Sequence, residues 1–303
     1  MIRIGMAFGA AEQGQTGSFH ANVWAGILNG FDAERAKAEH WPDTGAGHRR
    51  VEGARITRLW DPDHERAERM ARVFGIETVC DSYEELADDV DAGIIGEDTR
   101  FDKLPYARPF LERGLPCYLD KPLALRADEA REIVAVAGRH GAPLLSCSGW
   151  RFCDGARSLR EQMPAIGGAQ LLIGVVAIAR FDVYAIHSVE MALGLMGSGV
   201  VGVANVGEEG RDIARLRWED GRQAVLHLSD SSIARGRRFM ICGPGGCAET
   251  ADLGEIHPPL LEVFVRMCRT GEMPIPPEEM VEAVAIVEAI ERLRGSEVED
   301  SPA

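Results

Sequence analysis

Short apolar runs alternate with amphipathic helical stretches throughout the first half of the chain, and this rhythm limits the possible folds most strongly. It is typical of β-α-β units, which build a parallel sheet covered by helices. The candidate strands are Ile2–Phe8, Ala54–Trp60, Thr78–Cys80, Ala92–Gly96, Cys117–Leu119 and Leu144–Cys147. The sequence therefore predicts an α/β fold with a doubly wound parallel sheet over residues 1–122, against which the crossover 123–150 packs.

The pattern changes after about Trp150. Apolar and polar residues alternate with a period of two over residues 214–218 and 224–228, on either side of the turn pair Asp220-Gly221. Such a pattern indicates a hairpin and hence an antiparallel sheet. We expect residues 151–303 to form a second, α+β domain with a mixed, largely antiparallel open sheet.

Charge and hydropathy bear on partners and location. The chain has 48 Asp and Glu against 33 Lys and Arg, a formal charge of -15, with no block rich in basic residues. Nucleic acid is therefore not an expected partner. The N-terminal run MIRIGMAFGA meets glycine at once, and no stretch of about 18 uncharged apolar residues occurs. The expectation is a cytoplasmic protein without a membrane segment.

The cysteines suggest a reducing environment. Their number is odd and no two form a CxxC pair, so we expect reduced core residues. A zinc site at Cys242 and Cys247, which flank the turn CGPGGC, would need two further ligands. The seven cysteines are Cys80, Cys117, Cys147, Cys153, Cys242, Cys247 and Cys268.

A glycine-rich stretch, Ile4–Gly17, follows the first strand and precedes a helix. Backbone N–H groups near Gly9 and Gly17 are placed to approach a pyrophosphate at a helix N-terminus, although the spacing also suits a plain glycine-rich loop. Asp61 ends the second strand, where a carboxylate accepts both adenosine ribose hydroxyls and repels a 2′-phosphate. This favours NAD over NADP. The alternative is that Asp61 is a turn residue in Asp-Pro-Asp.

The segment Asp120-Lys121-Pro122 follows the fifth predicted strand. Lys121 is thereby placed at the carboxyl edge of the sheet, where doubly wound folds bind ligands. An amine there can protonate or deprotonate a substrate oxygen. The alternative is a solvated lysine at a strand end.

These features together resemble the glucose-fructose oxidoreductase, inositol dehydrogenase and rhizopine-catabolism (Gfo/Idh/MocA) family. The resemblance rests on the glycine loop and on WDPDHERAERMARVFGI, YEEL before VDA, ARPFLERGLPCYLDKPLA and PPEEMVEAVAIVEAIERL. It implies a Rossmann domain that binds NAD, or less favourably NADP. It also implies that Lys121 contacts the nicotinamide ribose and the substrate. Asp120 stands where the family has glutamate, and Thr99 retains a hydroxyl near the expected nicotinamide ribose.

The second family signature is Asp-x-x-x-His on a helix, in which the histidine relays the substrate proton. His187 matches that histidine, but Val183 occupies the aspartate position. Asp182, Tyr184 and Glu190 are candidates to compensate. We favour Tyr184 and His187 on one helical face with Glu190 orienting the imidazole. The alternatives are a structural His187–Glu190 pair and, less favoured, a metal bound by the two.

Arg151 lies at the crossover, where relatives place an arginine that faces substrate or cofactor. Arg151 and Glu190 are therefore predicted substrate contacts, and an interdomain salt bridge is the alternative role for Arg151. No metal site is predicted.

The resemblance implies reversible hydride transfer between C4 of NAD and a secondary alcohol of a sugar, polyol or related hydroxy compound. Lys121 would protonate the oxygen, and Tyr184 and His187 would pass the proton onward. Two alternatives remain open: a lyase or glycosidase in which NAD oxidises the substrate transiently, and a non-catalytic dinucleotide-binding regulator. A homodimer or homotetramer, associated through the open face of the second sheet, is expected.

Overall fold

The structure, a computed structural model, describes residues 1–8, 19–42, 46–97, 101–178, 180–233 and 235–296. Two units make up the chain. The N-terminal unit comprises Met1–Leu123, Arg131–Ser146 and His257–Pro277, and the C-terminal unit comprises Ala124–Ala130, Cys147–Ile256 and Glu278–Ala303.

The sheet of the N-terminal unit has six parallel strands in the order β3-β2-β1-β4-β5-β6. The strands are β1 (Ile2–Ala7), β2 (Ala54–Trp60), β3 (Thr78–Val79), β4 (Ala92–Ile95), β5 (Cys117–Leu119) and β6 (Leu144–Leu145). This order is that of the dinucleotide-binding doubly wound sheet, so the predicted α/β fold is confirmed. Ligand-binding residues are expected at the carboxyl ends of these strands, on either side of the β1–β4 pair.

Helices connect the strands and cover the sheet. They are α1 (Phe19–Asn29), α2 (Ala33–Ala38), α3 (His64–Phe74), α4 (Leu104–Leu111) and α5 (Ala127–His140). The ends of α3 follow from the sequence: the Asp63 side chain accepts from the Arg66 N–H, and Gly75 takes a left-handed conformation at φ 61°. Ser82, in contrast, makes no side-chain cap, and Tyr83–Ala87 is a short 3-10 helix because the chain turns extended at Asp88.

The second sheet has the order β12-β11-β7-β10-β9-β8, and all its pairs are antiparallel except β7 with β10. Its strands are β7 (Leu171–Ile178), β8 (Val200–Asn205), β9 (Arg211–Trp218), β10 (Gln223–Asp230), β11 (Arg237–Gly243) and β12 (Gly246–Thr250). The mixed, largely antiparallel sheet is thus confirmed. The predicted hairpin turn is present, with Gly221 at φ 88°.

Helix packing distinguishes the two faces of the second sheet. The remaining helices are α6 (Asp154–Gln162), α7 (Phe181–Met196), α8 (His257–Thr270) and α9 (Pro277–Arg292). Helix α7 is buried along nearly its whole length and packs on β7 and β10. On the other face Val175, His227 and Ile213 lie side by side across β7, β10 and β9, and both apolar side chains are exposed. This face is therefore open.

The division of the chain differs from the predicted boundary in one long segment. Helix α8 belongs to the N-terminal unit, although the sequence had placed it in the second domain. The reason is packing: Phe264 lies 5.9 Å from Tyr118 of β5, ring centre to ring centre, and Trp24 donates to His257. Periodicity identifies a helix but not the sheet that it covers.

The expectation that all cysteines are reduced core residues is wrong for two of them. Cys242 and Cys247 form a disulfide across the β11–β12 hairpin. The register places these residues directly opposite each other, with 4.2 Å between their Cα atoms. Neither is buried. The free cysteines are Cys80, Cys117, Cys147, Cys153 and Cys268.

Across the described part of the chain, none of the helices has both the length and the apolar content that a bilayer crossing requires.

Candidate functional site

Lys121 lies two residues after the end of β5, at the carboxyl edge of the parallel sheet. The residue is only 7% exposed, and its backbone N–H donates to Asp120 Oδ1 at 2.7 Å. Lys103 stabilises this turn. It is fully buried, and its Nζ donates to the Pro122 carbonyl at 2.8 Å. The burial of Lys121 argues against the alternative of a solvated lysine at a strand end.

Asp120 has a partner that sequence analysis missed. His20, in the first turn of α1, is hydrogen bonded through Nδ1 to Asp120 Oδ2 at 2.7 Å. Burial raises the pKa of Asp120, but His20, Lys121 and Lys103 together hold it below its ordinary value. Asp120 is therefore an anion with both oxygens engaged, next to Lys121. The signal was present in the sequence, because a helix that follows a glycine loop starts at the edge where β5 ends.

A second histidine, His257, joins this group from α8. Its ring lies 5.1 Å from the His20 ring, and its Nδ1 accepts from Trp24 Nε1 at 3.2 Å. Burial, followed by the electrostatic effects of His20, His48 and Lys121, lowers the pKa of His257 to about 3 against the opposing effect of Asp120. An acceptor Nδ1 fits a neutral imidazole.

This neutral state predicts a pH dependence of stability. The unfolded imidazole takes up a proton near pH 6.5, whereas the folded one does so only near pH 3, so the free energy of unfolding should fall as pH drops through that window. Between pH 8 and 5.5 the His257 contribution is roughly 1 kcal/mol. Urea unfolding of wild type and His257→Gln at both pH values measures it. Equal pH dependence in the two proteins would contradict the assignment.

Asp61 lies at the carboxyl end of β2 and is 2% exposed. Its Oδ1 accepts from the Asp63 N–H at 2.9 Å, so it does shape the Asp-Pro-Asp turn. Beside it, Arg66 lies with its guanidinium carbon 4.7 Å from the centre of the Trp41 ring. Within the described residues, Arg66 Nε and Nη2 are buried without a hydrogen-bond partner. Polar groups left in this state indicate a site that a polar ligand completes.

The carboxyl ends of β1 and β2 also carry an aromatic cluster. Trp60 stacks on Tyr106 with ring centres 5.6 Å apart, and Phe8 meets Tyr106 edge-on at 4.4 Å. At the end of β4, a Cβ on Gly96 would lie 3.2 Å from both Ala21 Cβ and the Phe8 carbonyl oxygen. The glycine therefore lets α1 pack closely on the end of β4, and the strand order suits a dinucleotide. Three predicted cofactor contacts, Gly9, Gly17 and Thr99, lie outside the described residues.

In the C-terminal unit, α7 carries His187, which is 7% exposed. Its Nδ1 is hydrogen bonded to Ser148 Oγ at 2.6 Å, and the Trp150 ring stacks on it with centres 4.7 Å apart at 19°. Tyr184 lies one turn earlier, 5.7 Å from His187 between ring centres, and is 38% exposed. The two thus share one helical face, as expected.

Two expectations about compensation for Val183 need revision. Glu190 does not orient the imidazole: its Oε2 accepts from Arg151 Nε at 2.7 Å. Instead, the neutral Ser148 side chain is hydrogen bonded to His187. The helical periodicity of the sequence does not predict this contact. Asp182 pairs with Arg180 at the surface.

Arg151 forms an ion-pair cluster with two carboxylates of its own unit. Besides Glu190 it contacts Glu279 of α9, with Nη1 2.5 Å from Oε1, and all three side chains are buried or nearly so. Burial lowers the pKa of Arg151, but the two glutamates raise it well above its usual range. Burial raises the pKa of Glu190 against the opposing effect of Arg151. The predicted salt-bridge role thus occurs within one unit.

The chain is similar to known oxidoreductases in sequence and in fold. Residues 33–146 match the Gfo/Idh/MocA family model, described as an oxidoreductase family with an NAD-binding Rossmann fold, which confirms the resemblance over that range. Trans-1,2-dihydrobenzene-1,2-diol dehydrogenase of Oryctolagus cuniculus is 37% identical over 121 residues, 40% of this chain and 35% of that protein. Inositol 2-dehydrogenase 4 of Saccharopolyspora erythraea is 35% identical over 109 residues, 35% of this chain and 32% of the relative.

Both alignments span about a third of the length of the curated relative. Over the whole chain, the structure resembles scyllo-inositol dehydrogenase from Lactobacillus casei, determined with bound NAD(H) and scyllo-inositol. The TM-score is 0.75 at 15% identity, with 100% of this chain and 99% of that chain covered. At this identity the likeness establishes the fold.

Proposed function

We propose that this chain is a member of the Gfo/Idh/MocA oxidoreductases and transfers a hydride between NAD and a secondary alcohol of a sugar, polyol or related hydroxy compound. The observation that carries the proposal is Lys121, a buried amine at the carboxyl edge of a 3-2-1-4-5-6 parallel sheet. Its neighbour Asp120 is held as a carboxylate by His20. A dinucleotide-binding sheet with an acid–base group at this edge fits dehydrogenase chemistry.

The cofactor supplies the hydride acceptor when bound, and the residues present fit it. Asp61 offers a carboxylate to the adenosine ribose, and Gly96 allows α1 to pack closely on the end of β4 at the central edge of the sheet. The aromatic cluster around Trp60 offers an apolar wall beside Asp61. The remaining backbone contacts belong to the glycine-rich loop.

Each proposed catalytic residue acts on a proton. Lys121 Nζ takes the hydroxyl proton of the alcohol during oxidation and returns it during reduction. Asp120 stays ionised and balances the charge of the ammonium form. His187 and Tyr184 pass the proton onward, and Tyr184, the more exposed of the two residues, is the end nearer to solvent.

The experiment that tests this function is an absorbance assay at 340 nm with the full chain, NAD and a panel of polyols and sugars. We expect NADH to accumulate in proportion to the substrate consumed. Product without net NADH would support the transient-oxidation lyase or glycosidase instead. NAD binding without any substrate-dependent NADH would support the non-catalytic regulator.

NAD preference depends on Asp61 and gives a second measurement. Replacing Asp61 by serine removes the charge that repels a 2′-phosphate and leaves the Arg66 guanidinium to meet it, so the ratio of NADPH to NADH affinity should rise about 10- to 100-fold. Fluorescence titration with both cofactors measures the ratio. Asp63→Ser, which keeps an N-cap residue on the same turn, is the matched control and should change it little. An unchanged ratio in Asp61→Ser would count against the ribose contact.

We also propose a homodimer or homotetramer that associates through the open face of the second sheet. In the row Val175, His227 and Ile213, the two apolar side chains are exposed, and among the described helices α7 packs on the opposite face. Val175→Lys should reduce the mass measured by sedimentation equilibrium to that of the monomer. The predicted cytoplasmic location and the absence of a nucleic-acid partner stay predictions.

A further inference from the structure

The C-terminal unit contains a cavity of about 810 Å³ beside α7. Tyr184 and Trp150 line it, and the Trp150 ring stacks on His187. The cavity therefore adjoins the residues that we propose to carry the substrate proton. Its role as the place where the substrate is held rests on that proposed function.

Two arginines line the same cavity. Arg235 precedes β11 and Arg237 begins it. Arg237 shares a face of its strand with Phe239 and Ile241, which are fully buried against the helix layer. Arg237 therefore lies where the inner face of the sheet opens into the cavity. The guanidinium carbon of Arg237 is 4.9 Å from the centre of the Trp150 ring.

Neither of these two arginines forms an ion pair with a described residue. Among the described residues, no carboxylate oxygen lies within 4.0 Å of the guanidinium of Arg235 or Arg237. Asp252 also lines the cavity, and its Oδ1 accepts from the Gly254 N–H at 2.9 Å rather than from a guanidinium. The neighbouring Arg238, in contrast, points to the other face of β11 and pairs with Glu249 at 3.1 Å.

Both arginines are exposed, so their N–H donors are open to a ligand in the cavity. Two arginines that line one cavity can bind a planar anion, since each guanidinium presents parallel N–H donors to carboxylate oxygens. The polar lining also includes Ser231, which suits a hydroxylated ligand.

The geometry points to an anion subsite formed by Arg235 and Arg237, and hence to a sugar acid or other polyhydroxy carboxylate as the substrate class. The carboxylate binds the two guanidinium groups. The hydroxyl-bearing carbons lie towards Tyr184 and His187. A neutral polyol leaves both arginines unpaired and binds more weakly.

The test compares acids with neutral analogues of the same carbon skeleton. The probes are D-galacturonate against D-galactose and D-gluconate against D-glucitol, each titrated calorimetrically into the full chain with NADH and assayed for NADH formation with NAD. For at least one pair, the acid should bind about 10- to 100-fold more tightly than its neutral analogue. The affinity for the acid should fall with added salt.

The decisive variant is Arg235→Gln/Arg237→Gln, in which the ratio of acid to neutral affinity should fall to about one. Arg238→Gln is the matched control and should retain the wild-type ratio, because this arginine lies on the other face of β11. Near-equal binding of acids and neutral analogues by the wild type, or an unchanged ratio in the double variant, would overturn the inference. NADH formation from neutral polyols with no preference for acids would leave the proposed function standing and refute the subsite alone. Tight binding of the acid without NADH formation would support the anion subsite and refute the proposed function.

Discussion

Lys121→Ala should lower turnover by about 10²- to 10⁴-fold, while the affinity for NADH stays close to that of the wild type. In the proposed function the amine acts on the substrate proton, whereas Asp61 and the other predicted cofactor contacts bind the dinucleotide. Steady-state rates of NADH formation and fluorescence titration with NADH separate the two effects. Wild-type turnover in this variant would refute the assignment of Lys121.

Lys121→Arg separates charge from proton transfer. Arginine keeps the positive charge next to Asp120 but does not give up a proton in the physiological range. If Lys121 transfers the proton, Lys121→Arg should be almost as impaired as the alanine variant. Substantial activity in Lys121→Arg would show that the positive charge alone is needed at this position.

Arg151→Met should lower the free energy of unfolding by about 3–5 kcal/mol, the cost of leaving buried carboxylates without their partner. Glu190 is 3% exposed and Glu279 is held by the same guanidinium, so two carboxylates lose their counter-charge at once. Chemical denaturation measures the change. Arg157→Met is the control, because Arg157 pairs with Asp154 at the surface and such pairs contribute about 0–1 kcal/mol.

A combined variant tests whether the loss arises from the unpaired charges. Arg151→Met with Glu190→Leu and Glu279→Gln removes the buried carboxylates together with the arginine, and should recover much of the stability. If Arg151 contacts substrate as predicted from the resemblance, Arg151→Lys should raise the KM of the folded enzyme. A loss of stability alone would not raise it. Full stability in Arg151→Met would contradict the structural role of the cluster.

The N-terminal half shows how far sequence alone reaches. Each predicted strand there exists, because parallel strands buried on both faces leave continuous apolar runs, and glycine or proline residues mark their ends. The position of Lys121 follows from the same rule, since the residue after a strand lies at the carboxyl edge. The hairpin around Asp220-Gly221 also depends on residues close together in sequence. Its register matches the alternation of apolar and polar residues.

The sequence did not predict the partners of the site residues. Glu190 is one turn from His187 on the same helix, so spacing made it the natural partner, yet Arg151 binds it. The His20–Asp120 contact spans 100 positions in the chain, and the Cys242–Cys247 disulfide depends on strand register. The placement of α8 depends on which sheet its apolar side meets.

The sequence by itself determined the elements, their order and the residue types at the sheet edge, because periodicity, caps and turn residues act within a few positions. Only the tertiary structure decided which charged and polar groups meet: His20 with Asp120, Ser148 with His187, and Arg151 with Glu190 and Glu279. Buried polar groups must find a partner wherever folding brings one close, and that choice depends on contacts between residues distant in sequence.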